Sequence, residues 1–163
     1  MGVASLIDTN VIVYRFDPRY PEKQSIAAAL LRDGLGDENL ALPHQVIIEF
    51  VAAVSRRRPD LGGQPLLAQG DALQEAESLM RQFRIVYPTP EVLITAMRGV
   101  SAYGLSWFDA HLWACAECLG FDEILSEDFE HGRHYGRVRT VDPFLRAAGG
   151  VNELPALYRT AAV

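Results

Sequence analysis

Short apolar runs and longer stretches with an apolar residue every third or fourth position take turns along this chain. The runs read as buried strands and the stretches as amphipathic helices. Residues 3–7 form the first run, which stops at Asp8, and residues 11–16 begin a helix. A second helix covers residues 22–32, with Ile26, Ala27, Ala29 and Leu30 on its apolar side, and ends at the Gly34 to Gly36 turn. Residues 40–42 make a short strand. Residues 45–57 read as a helix closed by Pro59, and Glu49 is its only charge between Val46 and Val54.

The same alternation continues downstream. Residues 66–83 predict a longer, more polar helix and residues 85–87 a strand. Thr89-Pro90-Glu91 is a helix start, and that helix ends at Gly104. Ser106 opens the next, which runs to Gly120 with Leu112, Cys115, Ala116 and Leu119 as its apolar stripe; Asp109 shares that inward face. Residues 124–125 and 138–141 are strands, separated by a polar loop from Ser126. A largely repeated strand-helix order favours an α/β fold, with a mainly parallel sheet covered by helices on both faces. Ligands of such sheets sit beyond the carboxyl ends of the strands, where Asp8 and Asp128 are expected. No internal repeat or linker interrupts the pattern. It predicts one domain over residues 1–148 and a tail over 149–163.

Composition narrows the function. The 163 residues, 49% of them hydrophobic, suffice for one core. A net charge of -6 argues against nucleic-acid binding through a broad basic surface. Acids committed to a metal would remove most of that excess, and Arg56, Arg57, Arg58, Arg133, Arg137 and Arg139 remain for local patches. Lys23 is the only lysine, and no glycine-rich phosphate loop with its lysine is present. Asp8-Thr9-Asn10 lacks the second aspartate of a phosphotransferase motif. The first residues carry no basic flank and no stretch approaches a membrane span, so the expectation is a cytoplasmic protein without a membrane partner.

Four acids stand out: Asp8, Glu49, Asp109 and Asp128. Gathered together they would form an all-oxygen cavity suited to Mg²⁺ or Mn²⁺. Each also has a plainer reading. Asp8 suits a helix N-cap, Ser106-Trp107-Phe108-Asp109 is close to a capping box, and Asp128 lies among other loop acids. Glu49 is the hardest to dismiss, because a charge amid Val46, Ile47, Ile48, Phe50 and Val51 needs a partner. Trp107 and Phe108 read as core residues before base-stacking platforms, and Arg133, His134 and Arg137 as a solvated loop.

Taken in order, L-I-D-T-N-V at 6–11, Glu49 in its apolar helix, W-F-D-A at 107–110 and L-S-E-D-F at 125–129 resemble the PIN-domain ribonucleases. The toxins of bacterial VapBC toxin-antitoxin pairs are the nearest group within them. The resemblance implies a three-layer α/β/α sandwich with Asp8, Glu49, Asp109 and Asp128 as Mg²⁺ or Mn²⁺ ligands and catalytic residues. It places Thr9, Asn10 and Ser126 behind them as hydrogen-bonding supports. It further implies endonucleolytic cleavage of RNA, a cognate antitoxin and a homodimer.

A rival motif leads elsewhere. Cys115, Cys118, His131 and His134 read C-x2-C-x12-H-x2-H, close to a structural zinc site, and would fit a non-catalytic interaction module. The histidines are one residue too close, and the cysteines fall well inside an amphipathic helix.

Overall fold

Neighbouring residues of each central strand face two different cores, and this alternation fixes the layers. In the computed structural model, which describes residues 2–145, strands β1 (Ser5–Ile7), β2 (Leu40–Pro43), β3 (Arg84–Val86), β4 (Glu123–Leu125), β5 (His134–Tyr135) and β6 (Val138–Val141) form one sheet. Their order is β3-β2-β1-β4-β6-β5, parallel throughout except for the antiparallel edge pair β5 and β6. Ile7, Leu40, Leu42, Leu125 and Val141 face one core; Leu6, Ala41, Val86, Ile124 and Val138 face the other. Side chains two apart on a strand share a face, so a near-continuous apolar run serves both sides of a buried sheet.

Helices close both faces. The first core is covered by α1 (Thr9–Tyr14), α2 (Pro21–Asp33), α3 (His44–Ser55) and α4 (Gln69–Gln82), through residues such as Val11, Leu30, Phe50 and Leu79. The second is covered by α5 (Pro90–Tyr103) and α6 (Trp107–Leu119), through Val92, Ala96 and residues 112–116. The result is the expected α/β/α arrangement. Among the described residues no helix is long and apolar enough to cross a membrane. The expected tail over 149–163 lies outside the described residues.

Three expectations about the elements are corrected. Helix α1 begins at Thr9, two residues early, because the Asp8 carboxylate accepts the Thr9 N–H at 2.6 Å and caps the helix. Helix α4 begins only at Gln69. Leu66 and Leu67 continue its apolar pattern but pack on the first core from a bend ahead of the helix, with the Leu67 N–H bonded to the Val54 carbonyl at 2.9 Å. The supposed solvated loop contains β5, joined to β6 by a two-residue turn with Gly136 at φ 62°. Tyr135 is buried there and its carbonyl accepts the Trp113 indole N–H at 2.8 Å.

Helices α5 and α6 approach closely because Gly99 faces the Trp113 ring. A methyl at residue 99 would lie 2.7 Å from two ring carbons. That ring is held edge-on by Tyr103 and bonded to Tyr135, so it has little room to move. Overpacking costs about 1–3 kcal/mol, against about 1 kcal/mol gained in helix propensity. Gly99→Ala is therefore expected to destabilise the protein by up to about 2 kcal/mol, read in thermal unfolding as a Tm lower by up to roughly 4–8 °C.

Candidate active site

The sheet's connections reverse direction at β1, which has β2 on one side and β4 on the other. Such a switch point opens a crevice beyond the carboxyl ends of the strands. Asp8 leaves β1 there, and Ser126 and Asp128 follow β4. The Asp8 N–H continues the ladder to the Leu125 carbonyl at 3.0 Å, which sets the two strand ends side by side.

Asp8 is buried, and its carboxylate accepts three donors: the Thr9 N–H at 2.6 Å, the Ser126 hydroxyl at 2.6 Å and the Asn10 amide at 3.0 Å. The same Asn10 nitrogen reaches the Asp128 carboxylate at 3.0 Å and Ser126 Oγ at 3.1 Å. Ser126 Oγ also accepts the Asp128 N–H at 3.0 Å. Asn10 and Ser126 thus lash the ends of β1 and β4 together through their acids. Glu49, half-buried on α3, is tied in from the other side. Its carboxylate accepts the Thr9 hydroxyl at 2.7 Å and the Gln45 amide at 2.6 Å.

Asp109 stands in the first turn of α6. Its N–H donates to Ser106 Oγ at 3.2 Å, and the Ser106 hydroxyl donates back to its carboxylate at 2.6 Å. The capping role read from the sequence is therefore real. Burial raises the Asp109 pKa above the usual carboxylate range, and the charges of Asp128 and Glu49 raise it further. Burial likewise pushes Asp8 up to about 7, with Asp128 and Glu49 adding to the shift and the Ser126 and Thr9 bonds opposing it. Asp8 and Asp109 thus each lie within electrostatic reach of Asp128 and Glu49.

Among the described residues none of the four forms an ion pair with lysine or arginine. Nor do any three His, Cys, Asp or Glu side chains there stand ready-made as a metal cage. The Asn10 amide lies between Asp8 and Asp128, and the Ser106 hydroxyl holds Asp109, so closing on an ion requires these carboxylates to turn. The donor set nonetheless fits a hard dication. It is all oxygen, its charges oppose one another, and Asn10 Oδ1 is buried beside it with no hydrogen-bond partner.

The zinc motif does not assemble. Cys115 is buried in the second core, where burial raises its thiol to about 12. Cys118 Sγ donates to the Thr95 hydroxyl at 3.4 Å, and His131 Nδ1 accepts the Asp142 N–H at 3.0 Å. His134 lies exposed on β5.

A family model for the PIN domain matches residues 5–137. The chain belongs to the PIN-domain family. Its fold is similar to a toxin-antitoxin complex from Klebsiella pneumoniae (18% identity, TM-score 0.58, covering 85% of this chain and 97% of that one). It is also similar to DNA-bound VapBC from Salmonella typhimurium (10% identity, TM-score 0.59, 86% and 98% covered). A third likeness is to a sarcin-ricin-loop-cleaving VapC toxin of Mycobacterium tuberculosis (15% identity, TM-score 0.52, 74% and 86% covered). At these identities the likeness is one of fold. No curated protein sequence matches the chain significantly.

Sequence reasoning passed over several residues of this PIN domain. Gln45 joins Glu49 to the Phe108 carbonyl and to His111. Its place one turn before Glu49 was the available signal. His111 sits two residues after Asp109, and burial holds its pKa below the usual value, with His44 acting in the same direction and Glu49 opposing. Trp107 and Phe108, read as core, are 43% and 64% exposed. They sit in the first turn of α6, ahead of the segment that carries its buried face.

The raised Asp8 pKa has a consequence for stability. A carboxyl whose folded value exceeds its unfolded one weakens the fold as it ionises. The deficit is absent below 3.8, grows as pH rises to about 7 and is complete above that. Its ceiling is on the order of 4 kcal/mol. With chelator present at pH 8, Asp8→Asn is expected to raise stability by about 1–2 kcal/mol, the remainder being lost where the new amide meets that of Asn10. Urea unfolding at pH 5 and pH 8 measures it. An Asn variant no more stable than wild type at pH 8 contradicts the desolvation account.

Proposed function

We propose that this PIN-domain protein is a metal-dependent endoribonuclease, the VapC-type toxin of a toxin-antitoxin pair, with Asp8, Glu49, Asp109 and Asp128 as its metal-binding and catalytic set. The single observation that carries the reading is the cluster of acids at the β1/β4 crevice, mutually repelling, without a basic partner among the described residues, and braced by Asn10, Thr9 and Ser126. Family membership supports it, and so do structural neighbours that are themselves toxins and toxin-antitoxin complexes.

Mg²⁺, or Mn²⁺ in its place, would be held by the four carboxylates and would supply a bound water of lowered pKa together with charge neutralisation at the phosphodiester. The chain's own part is positional. Ser126 and the Thr9 N–H keep Asp8 oriented, Asn10 sets Asp128 relative to Asp8, and Thr9 and Gln45 fix the two oxygens of Glu49. Asp8 must be ionised to bind metal, so metal binding releases a proton and strengthens as pH rises through about 7. Phosphodiester cleavage of this kind needs no protein nucleophile.

The partners follow from the same site. A nuclease of this kind acts on an RNA substrate and requires restraint, for which a cognate antitoxin that lays a segment over the acidic crevice is the proposed device. The proposed assembly is a homodimer and the proposed location the cytoplasm.

Single-stranded RNA incubated with the protein is expected to be cut internally in Mg²⁺ and left whole in excess chelator. Asp8→Asn and Asp109→Asn, folded by circular dichroism, are expected to lose nearly all cleavage. Asn10→Ala is expected to lose about 10- to 100-fold, the usual effect of removing a support behind a metal ligand. A folded Asp8→Asn protein that cuts at the wild-type rate would overturn the assignment.

A further inference from the structure

Beside the acid cluster, between the start of α3 and the start of α6, lies a depression of about 250 Å³ whose walls include His44, Gln45, Glu49, Trp107, Phe108 and His111. Glu49 belongs to both places. The depression is smaller than the roughly 300–1,000 Å³ typical of drug-sized ligands, which suits one small planar group.

Its polar wall has a defined hydrogen-bonding sense. The Gln45 Nε2 donates to Glu49 Oε1 at 2.6 Å and to the Phe108 carbonyl at 3.2 Å. Neither of those atoms can donate, so the amide is oriented and its Oε1 is the atom that meets His111 Nδ1. An amide oxygen only accepts, so Nδ1 carries the hydrogen, and in the neutral ring Nε2 is left as an acceptor. The exposed rings of Trp107 and Phe108 line it too, together with Ile48 and Pro88. The lining contains a carboxylate and no lysine or arginine, which disfavours a phosphate and suits an uncharged ring with an N–H to give.

We propose that this depression binds one unpaired nucleobase of the RNA next to the phosphate engaged by the acids, the base stacking on Trp107 and Phe108 and donating an N–H to His111 Nε2. The inference rests on the ribonuclease reading and adds the residues that select the substrate. Bases of single-stranded RNA are free to splay out and stack on aromatic side chains, so the subsite favours unpaired over duplex RNA.

The test uses the full-length protein in Ca²⁺, an oxygen-seeking dication, and a fluorescently labelled single-stranded RNA followed by anisotropy. A second RNA carries abasic positions. Trp107→Ala and Phe108→Ala are each expected to weaken binding of the intact RNA about 10- to 100-fold. Trp107→Phe should keep most of the affinity. The abasic RNA should bind wild type weakly and respond little to Trp107→Ala. His111→Ala should flatten the base preference of a randomised pool.

Intact and abasic RNA bound alike by wild type would overturn the subsite without any variant. Equal affinity of folded Trp107→Ala and wild type would do the same, as would a Trp107 that becomes buried when the chain self-associates. Base-dependent binding without cleavage in Mg²⁺ would sink the nuclease reading and leave the subsite standing.

Discussion

One buried carboxylate governs this molecule. Asp8 lies at the end of the central strand with no ion-pair partner among the described residues, and a charge so placed depends on the donors around it. Those donors come from Thr9, Asn10 and Ser126, so the ends of β1 and β4 and the start of α1 must all be in place before the acid can ionise. Burial wins over those bonds, because the pKa still rises to about 7. The fold therefore holds an acid near its point of ionisation, in a place that a hard cation would relieve.

The rest of the chain serves that placement. Alternation of Leu6 with Ile7 and of Ile124 with Leu125 pins the two strands between opposed cores, and a slip of one residue would exchange every face. The parallel register Leu6 to Ile124 and Ile7 to Leu125 then brings Asp8 level with Ser126. Packing thus sets the positions of hydrogen-bonding groups, and those groups set the acids. Glu49 and Asp109 enter from α3 and α6, helices on opposite faces of the sheet, so the crevice is where both layers meet.

Much of this was legible before any coordinates. The apolar runs located β1, β2, β4 and β6, and Glu49 was conspicuous because its helical neighbours are apolar. Two kinds of information were not in the pattern. The first is solvent exposure at helix starts: Ile48 and Phe108 are 57% and 64% exposed, although their neighbourhoods read as interior. A hydrophobic stretch shows that a helix has an apolar face and says nothing of which residues lie beyond the edge of the layer it covers. The second is side-chain bonding across elements. Residues as far apart in the chain as Asn10 and Asp128, or Gln45 and His111, touch only because of strand order. Short β5 escaped for a related reason, since a two-residue strand has no period and is held by its partner β6 and by Trp113.

The plain and the functional readings of these acids turn out to be compatible. Asp8 caps α1 and Asp109 belongs to the Ser106 cap, yet both also feel their fellow acids. A cap holds a carboxylate at a fixed point near a helix end, and that is what a constellation of charges needs from its scaffold. Using helix starts as mounts has a further effect at α6. The turn that presents Asp109 also carries Trp107 and Phe108 into solvent, and Gln45 reaches from α3 to the Phe108 carbonyl. Gln45 bonds to Glu49 as well, so one side chain bridges the aromatic edge and the acidic crevice. A base held at the rings, as proposed, would therefore lie beside the acids, and this adjacency follows from where α3 and α6 begin.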